Sequence, residues 1–218
     1  MSANQQVRAC QSDELWHIDT TVIQLIDGTK VYLHAITDNF SRRSLAWRVA
    51  ERLEVASTVA ILREAARRAV SADNIPTLVA DAGVENVNTD VDGLIECGLL
   101  SRVLALKDVM FSNSMIEAWW RTLKYQWLFL NVLDSAATVR RLVAFYVEAH
   151  NTEIPHSAFR GQTPDEIYYG RGQAIPEQLE VAKALARAAR LKANRELSCV
   201  ICEPRERTIT ERPAAAQA

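Results

Sequence analysis

The sequence is poor in cysteine and glycine, and it has no long apolar run. Four cysteines in 218 residues (Cys10, Cys97, Cys199, Cys202) are too few for a disulfide framework. Seven glycines and six prolines exclude collagen-like and low-complexity chains. No apolar stretch reaches the ~18 residues that span a membrane, and residues 1–11 lack the apolar centre of a signal peptide. Nor does one charge dominate. Twenty-five Lys and Arg face 27 Asp and Glu, for a net charge of −2 and a pI near 6.1. That excludes a strongly basic nucleic-acid protein on bulk charge and leaves a local basic face open. With 49% hydrophobic and 24% charged residues the composition is globular, and the length suits one large domain or one domain with appendages. The expected location is cytoplasmic, without a membrane partner.

The charge is unevenly spread. Residues 1–40 hold two basic and five acidic side chains, 41–70 seven and three, 71–117 two and eight, 118–170 five and five, and 171–218 nine and six. Two acidic blocks thus alternate with a basic stretch and a basic tail, a pattern unlike random surface solvation.

Residues 15–23, rich in β-branched and aromatic side chains, read as a strand, and Asp27-Gly28 as a tight turn. Residues 30–37 and 44–50 read as two more strands, so the three make an antiparallel meander. Residues 55–70 have helical apolar spacing. A short buried strand, 76–80, runs into Asp81-Ala82-Gly83. A helix over 89–97 and a strand over 101–106 follow, and this order favours parallel pairing. Helices are predicted from Ser114 to about Asn131, over 135–151, after Thr163-Pro164, and over 176–195, with residues 197–202 as a final short strand. The expected fold is α/β, a mixed five-stranded sheet with three antiparallel strands, then two parallel, flanked by helices.

Three carboxylates fall at element boundaries in this scheme. Asp19 lies within the first strand, Asp81 ends the fourth and Glu117 opens a long helix. If the first and fourth strands are neighbours, Asp19 and Asp81 meet and the helix adds Glu117. Clustered carboxylates repel one another and are usually reconciled by a divalent cation. Oxygen ligands favour Mg²⁺ or Mn²⁺, and two such ions can serve phosphodiester chemistry. Each residue also has a plainer role. Asp81 before Ala-Gly makes a turn, Asp19 can face solvent on an edge strand, and Ser114 to Glu117 matches a capping box.

The motifs around these residues resemble the integrase catalytic core shared by retroviral integrases and bacterial insertion-sequence transposases, the DDE family. Trp16-His17-Ile18-Asp19-Thr20-Thr21 looks like its first motif and Thr37-Asp38-Asn39-Phe40-Ser41-Arg42-Arg43 like its second-strand signature. Residues 79–86 fall where the second catalytic Asp is expected, and residues 112–124 look like the catalytic-Glu helix, with 35 residues between Asp81 and Glu117. Tyr146, His150-Asn151 and residues 155–164 resemble the downstream transposase signature. The resemblance covers about residues 14–170. It implies a ribonuclease H-like fold and polynucleotidyl transfer, with Asp19, Asp81 and Glu117 as catalytic residues and ligands of Mg²⁺ or Mn²⁺, two ions in all. It also implies DNA partners (transposon ends and target), a homo-multimer on DNA and a bacterial, nucleoid-associated location.

Arg121 and Lys124 share a helix face with Glu117 and are candidate DNA contacts, the alternative for Arg121 being an i,i+4 pair with Glu117. Arg42, Arg43 and His156 complete the candidate DNA set, with a structural role in its loop as the alternative for His156. Trp119, Trp120 and Trp127 read as core, Asp38 as a turn residue, and His17 as lying on the strand face of Asp19. Cys199 and Cys202 lack the second pair a zinc site needs. Two departures stand out. Ala82 replaces the Asn or Gly that usually follows the second catalytic Asp. The roughly 13 residues before the core hold no helix-turn-helix, so end recognition is expected from a separate helix-turn-helix protein or a frameshifted product, unless the copy is truncated. The domain reading is a flexible segment (1–13), a catalytic core (14–170) and a basic helical tail with a short strand (171–218). The alternative functions are a catalytically silent DNA-binding remnant and a nuclease that only hydrolyses.

Overall fold

The structure, a computed structural model, describes residues 8–70, 75–81, 83, 86, 88–104 and 114–201. Strands β1 (Leu15–Gln24), β2 (Lys30–Asp38) and β3 (Ser44–Ala50) form the expected meander. The β1–β2 turn uses Gly28 at φ +85°, a conformation that costs glycine least, and the Asp27 carboxylate accepts the Thr29 N–H at 2.8 Å. Helix α1 (Val55–Arg68), β4 (Thr77–Ala80), α2 (Thr89–Glu96) and β5 (Ser101–Leu104) then supply two parallel strands. The sheet order is β3-β2-β1-β4-β5, with β1 in the centre, antiparallel to β2 and parallel to β4.

Alternation along the strands sends side chains to two separate cores. Trp16 and Ile18 of β1 pack with Ile61, Leu62 and Ala65 of α1 and Val91 and Leu94 of α2. Ile23, Val31, Leu33 and Ala35 face the other way. They pack on Ile116, Trp119 and Leu123 of α3 (Ser114–Gln126) and on Val139 and Val143 of α4 (Ala136–Thr152). Caps mark the helix starts. Asn88 accepts from the N–H groups of Asp90 and Val91, Ser135 from that of Thr138, and Thr163 and Glu166 form a capping box with Pro164 in the first turn of α5 (Pro164–Tyr168).

Two expectations are corrected. Helix α3 ends at Gln126, not near Asn131, and a 3-10 turn (Leu128–Leu130) follows. Trp127 leaves helical backbone, its indole donates to the Leu142 carbonyl at 2.9 Å, and its ring stacks 5.1 Å from Phe145. A tertiary contact there outweighs the apolar continuity of the sequence. The strand expected from Leu197 is also absent. Residues Ile175–Ile201 make one helix, α6, because an Ala-rich run with Glu180–Lys183 and Lys192–Glu196 pairs carries helix through Leu197. Helix α6 belongs to a second compact unit, residues 174–218, separate from the unit of residues 1–173. No described helix is long and apolar enough to cross a membrane. Within residues 8–13, expected to be flexible, Ala9 and Asp13 are buried.

His34 on β2 is fully buried, with Nδ1 2.8 Å from the Thr20 hydroxyl and no partner for Nε2 among the described residues. Burial pushes its pKa down to about 4 from 6.5. A histidine that binds its proton less readily when folded gives stability at pH above 6.5 that is lost as pH falls towards 4. Asp38, pushed up to about 6 by burial, acts in the opposite sense between about 3.8 and 6. His34→Gln is therefore expected to lose less melting temperature than wild type over the histidine's window. Thermal unfolding at several pH values checks this, and equal slopes would refute it.

Candidate active site

β1 and β4 pair in parallel as Leu15↔Thr77, Trp16↔Leu78 and His17↔Val79. The same offset, continued past the end of the ladder, sets Asp19 level with Asp81. Asp19 is half-buried. Its Oδ2 accepts the Trp120 indole N–H at 2.8 Å and its Oδ1 the Thr20 amide at 2.8 Å. Burial raises its pKa, these two hydrogen bonds lower it, and the charges of Asp81 and Glu117 raise it again. Asp19 therefore senses both other carboxylates. Asp81 is exposed, and its Oδ1 accepts from the Asn86 side-chain amide at 2.6 Å and the Gly83 N–H at 3.3 Å, so it also serves the turn. Glu117 is exposed in the first turn of α3. Among the described residues no three His, Cys, Asp or Glu side chains draw together into a metal cage. The donor chemistry nonetheless fits a hard divalent cation, since all three are carboxylates and their mutual repulsion is what a cation would relieve.

On α3, Arg121 is exposed and, among the described residues, no ion pair joins it to Glu117, so the i,i+4 alternative is not formed. Lys124 is half-buried and donates to the Thr21 hydroxyl. Burial lowers its pKa and the Asp19 charge opposes that shift. Trp119 and Trp120 are core residues and Trp127 packs partly buried against the same core.

The other candidates gather elsewhere. Arg43 donates from Nε to Asp165 at 2.5 Å and lies over the Tyr168 and Tyr169 rings at 5.0 and 5.4 Å. Arg42, at φ +65°, points its guanidinium at the Met115 sulfur, and its carbonyl accepts from His150 Nε2 at 3.0 Å. His156 caps the Ser157–Phe159 turn by accepting the Ala158 N–H at 3.2 Å. Arg42 and His156 line a groove of about 640 Å³ with Met115, Trp119, Tyr146 and His150. The α3 residues in that groove lie on the side of the helix away from Glu117, Arg121 and Lys124. Asp38 accepts from the Ser41 amide and hydroxyl, both at 2.7 Å, and from the Asp13 amide at 3.0 Å, as a turn residue does. His17 Nε2 lies 2.9 Å from the Asn39 amide. Ala82 and Cys202, and the side chain of Cys199, lie outside the described residues.

The sequence points to His150 and Asn151 only as part of a signature, and not to their bracing of these loops. Asn151 accepts from the Ser44 N–H and donates to the Ser44 carbonyl, both at 3.0 Å, while His150 and Asp165 hold Arg42 and Arg43. The second-strand motif and the downstream signature are thus two halves of one clasp. For Trp120 the sequence favours core packing over base stacking and gives no hydrogen-bond partner. Its position one turn after Glu117 was a signal that its indole N–H had a polar task.

Two models described as integrase core domain match this chain, over residues 9–109 and 111–164, which between them contain all three carboxylates and all of the clasp but Asp165. The chain belongs to the integrase core family. Among relatives of this integrase core protein, InsK of insertion sequence IS150 from Escherichia coli, named as a transposase, is 22% identical over 73% of this chain and 56% of its own length. A protein of insertion element IS136 from Agrobacterium fabrum is 24% identical over 74% of this chain and 86% of its own length. The chain thus spans little more than half of InsK. Among solved structures, the HTLV-2 integrase catalytic core domain in complex with magnesium superposes with a TM-score of 0.58 at 15% identity, over 74% of this chain and 99% of that one. The BIV integrase catalytic core domain gives 0.54 at 16% identity, over 72% and 95%. At such identities the likeness shows the fold, which is the ribonuclease H-like core.

Proposed function

We propose that this integrase core protein is the catalytic domain of an insertion-sequence transposase, a polynucleotidyl transferase that cleaves DNA and joins a 3′-hydroxyl to target DNA. The observation that carries the reading is the β1–β4 register, which levels Asp19 with Asp81, together with the charges of Asp81 and Glu117 acting on Asp19. Asp19, Asp81 and Glu117 would hold Mg²⁺ or Mn²⁺, as two ions. Bound metal would lower the cost of charge developing on the attacking and leaving oxygens of a phosphodiester. The attacking 3′-oxygen forms one bond to phosphorus as another phosphorus–oxygen bond breaks, so no external energy source is needed. Exposed Arg121 and half-buried Lys124, beside the carboxylates on α3, are suited to hold the DNA backbone. Arg42 and His156 would act from the separate groove, and Arg43 only if DNA displaces Asp165. The partners are transposon-end and target DNA and further copies of the chain, in the bacterial cytoplasm.

The test supplies end-cleaved donor DNA, target plasmid and Mg²⁺ or Mn²⁺ to the wild type and to Glu117→Gln. Joined product is expected from the wild type alone. Product that persists in the variant would refute the mechanism, and DNA retained by both without any joining would favour the silent DNA-binding reading.

A further inference from the structure

Two adjacent indoles on α3 are used differently. Trp119 and Trp120 are both buried, with ring centroids 4.8 Å apart in one core. The Trp119 Nε1 has no hydrogen-bond partner among the described residues, so that side chain is present for its ring. The Trp120 Nε1 instead donates to Asp19 Oδ2 at 2.8 Å, across 101 residues of sequence. A phenyl ring would fill most of the same core volume without reaching the carboxylate.

The contact is one of two evenly spaced rungs. Four residues after Trp120, Lys124 donates to Thr21, two residues after Asp19. Four helical residues rise about 6 Å, and two strand residues about 6.6 Å. The two pairs therefore match in pitch, and α3 runs along β1 in a fixed register. Glu117 sits one turn before Trp120 on the same helix, so the register that seats Trp120 on Asp19 also sets how far Glu117 stands from it. With Oδ1 taken by the Thr20 amide, both Asp19 oxygens are oriented, and each keeps a lone pair for another ligand.

We infer that Trp120 is a positioning residue for the carboxylate site, its indole N–H fixing the Asp19 carboxylate and, with Lys124, the register of α3 that presents Glu117. This rests on the functional reading above. Groups that hydrogen-bond a metal-binding side chain commonly contribute 10–100-fold to metal affinity, and Trp120→Phe keeps an aromatic ring in the core while removing the donor.

The experiment is a calorimetric titration of Mn²⁺ alone into the full chain, wild type and Trp120→Phe, with melting of the metal-free proteins alongside. The variant is expected to bind Mn²⁺ about tenfold more weakly, with a melting temperature within a few degrees of wild type. Equal Mn²⁺ affinity in a folded Trp120→Phe overturns the positioning role and leaves the functional reading standing. A wild type that binds no Mn²⁺ overturns both. A second measurement needs no Trp120 variant. Among the five indole N–H resonances of ¹⁵N-labelled wild type, one is expected to move with Mg²⁺ titration and to be the one displaced in Asp19→Asn. If none moves while Mg²⁺ binds, the role is refuted.

Discussion

Asp19→Asn is expected to reduce strand transfer on the order of 10³-fold or more while making the metal-free protein harder to melt. The loss follows from the proposed chemistry. An amide carries no charge to hold a divalent cation, and removing several kcal/mol of transition-state stabilisation costs a factor of ten for every ~1.4 kcal/mol. The gain follows from the apo site. Asp19 is held half-buried beside Asp81 and Glu117, and burial opposes its charge more than any other influence. An asparagine oxygen still accepts from Trp120 or Thr20 without the buried charge. A gain of about 1 kcal/mol would raise the melting temperature by about 2–4 °C in a domain of this size. A strand-transfer assay and metal-free thermal unfolding read the two effects. Retained joining activity would remove Asp19 from the mechanism, and a lowered melting temperature would show that its charge supports the fold.

The second large effect lies far from the chemistry. Asp13→Ala is expected to destabilise the protein by about 3–5 kcal/mol, because it strands several buried donors that each cost roughly 1–3 kcal/mol. Asp13 is fully buried, and its carboxylate accepts from the Trp16 indole at 3.1 Å, the Val70 amide at 2.8 Å and the Tyr168 hydroxyl at 2.8 and 3.0 Å. Alanine would strand these donors and also sit at φ +62°, where a residue other than glycine, asparagine or aspartate is strained. Asp13→Asn tolerates that backbone and keeps one acceptor, so its loss should be intermediate. Urea unfolding measures both variants. A change below about 1 kcal/mol for alanine would show that water replaces the carboxylate at little cost.

These predictions mark where the sequence was readable. The meander was legible because β-branched residues cluster and Asp27-Gly28 interrupts them, and β3 has the bounds expected from sequence. The nearness of Asp19 and Asp81 was legible too, because three antiparallel strands followed by a crossover leave few places for a fourth. What could not be read were pairings between distant residues. Nothing in residues 8–13 shows that Asp13 waits for Tyr168, 155 residues later. Arg43 looks like a phosphate contact until Asp165, 122 residues on, is seen to occupy it. The end of α3 was misplaced because the residue that breaks it, Trp127, does so for a partner on α4. Local pattern reveals elements, and side-chain chemistry across the fold decides what each polar group is spent on.

The central position of β1 has a consequence for divergence. The interval between Asp19 and Asp81 comes from two adjacent strands of one ladder. Neighbouring strands stand about 4.8 Å apart whatever side chains they carry. That interval is thus a property of the main chain, insulated from drift in the two cores on either side. Packing residues can be exchanged freely so long as no strand slips, and a slip would turn every side chain of β1 to the wrong core. A spacing guarded in this way can persist when only 22–24% of residues still agree between relatives. Glu117 has no such protection, since it rides on a helix whose seat depends on individual side chains, Trp120 and Lys124 among them.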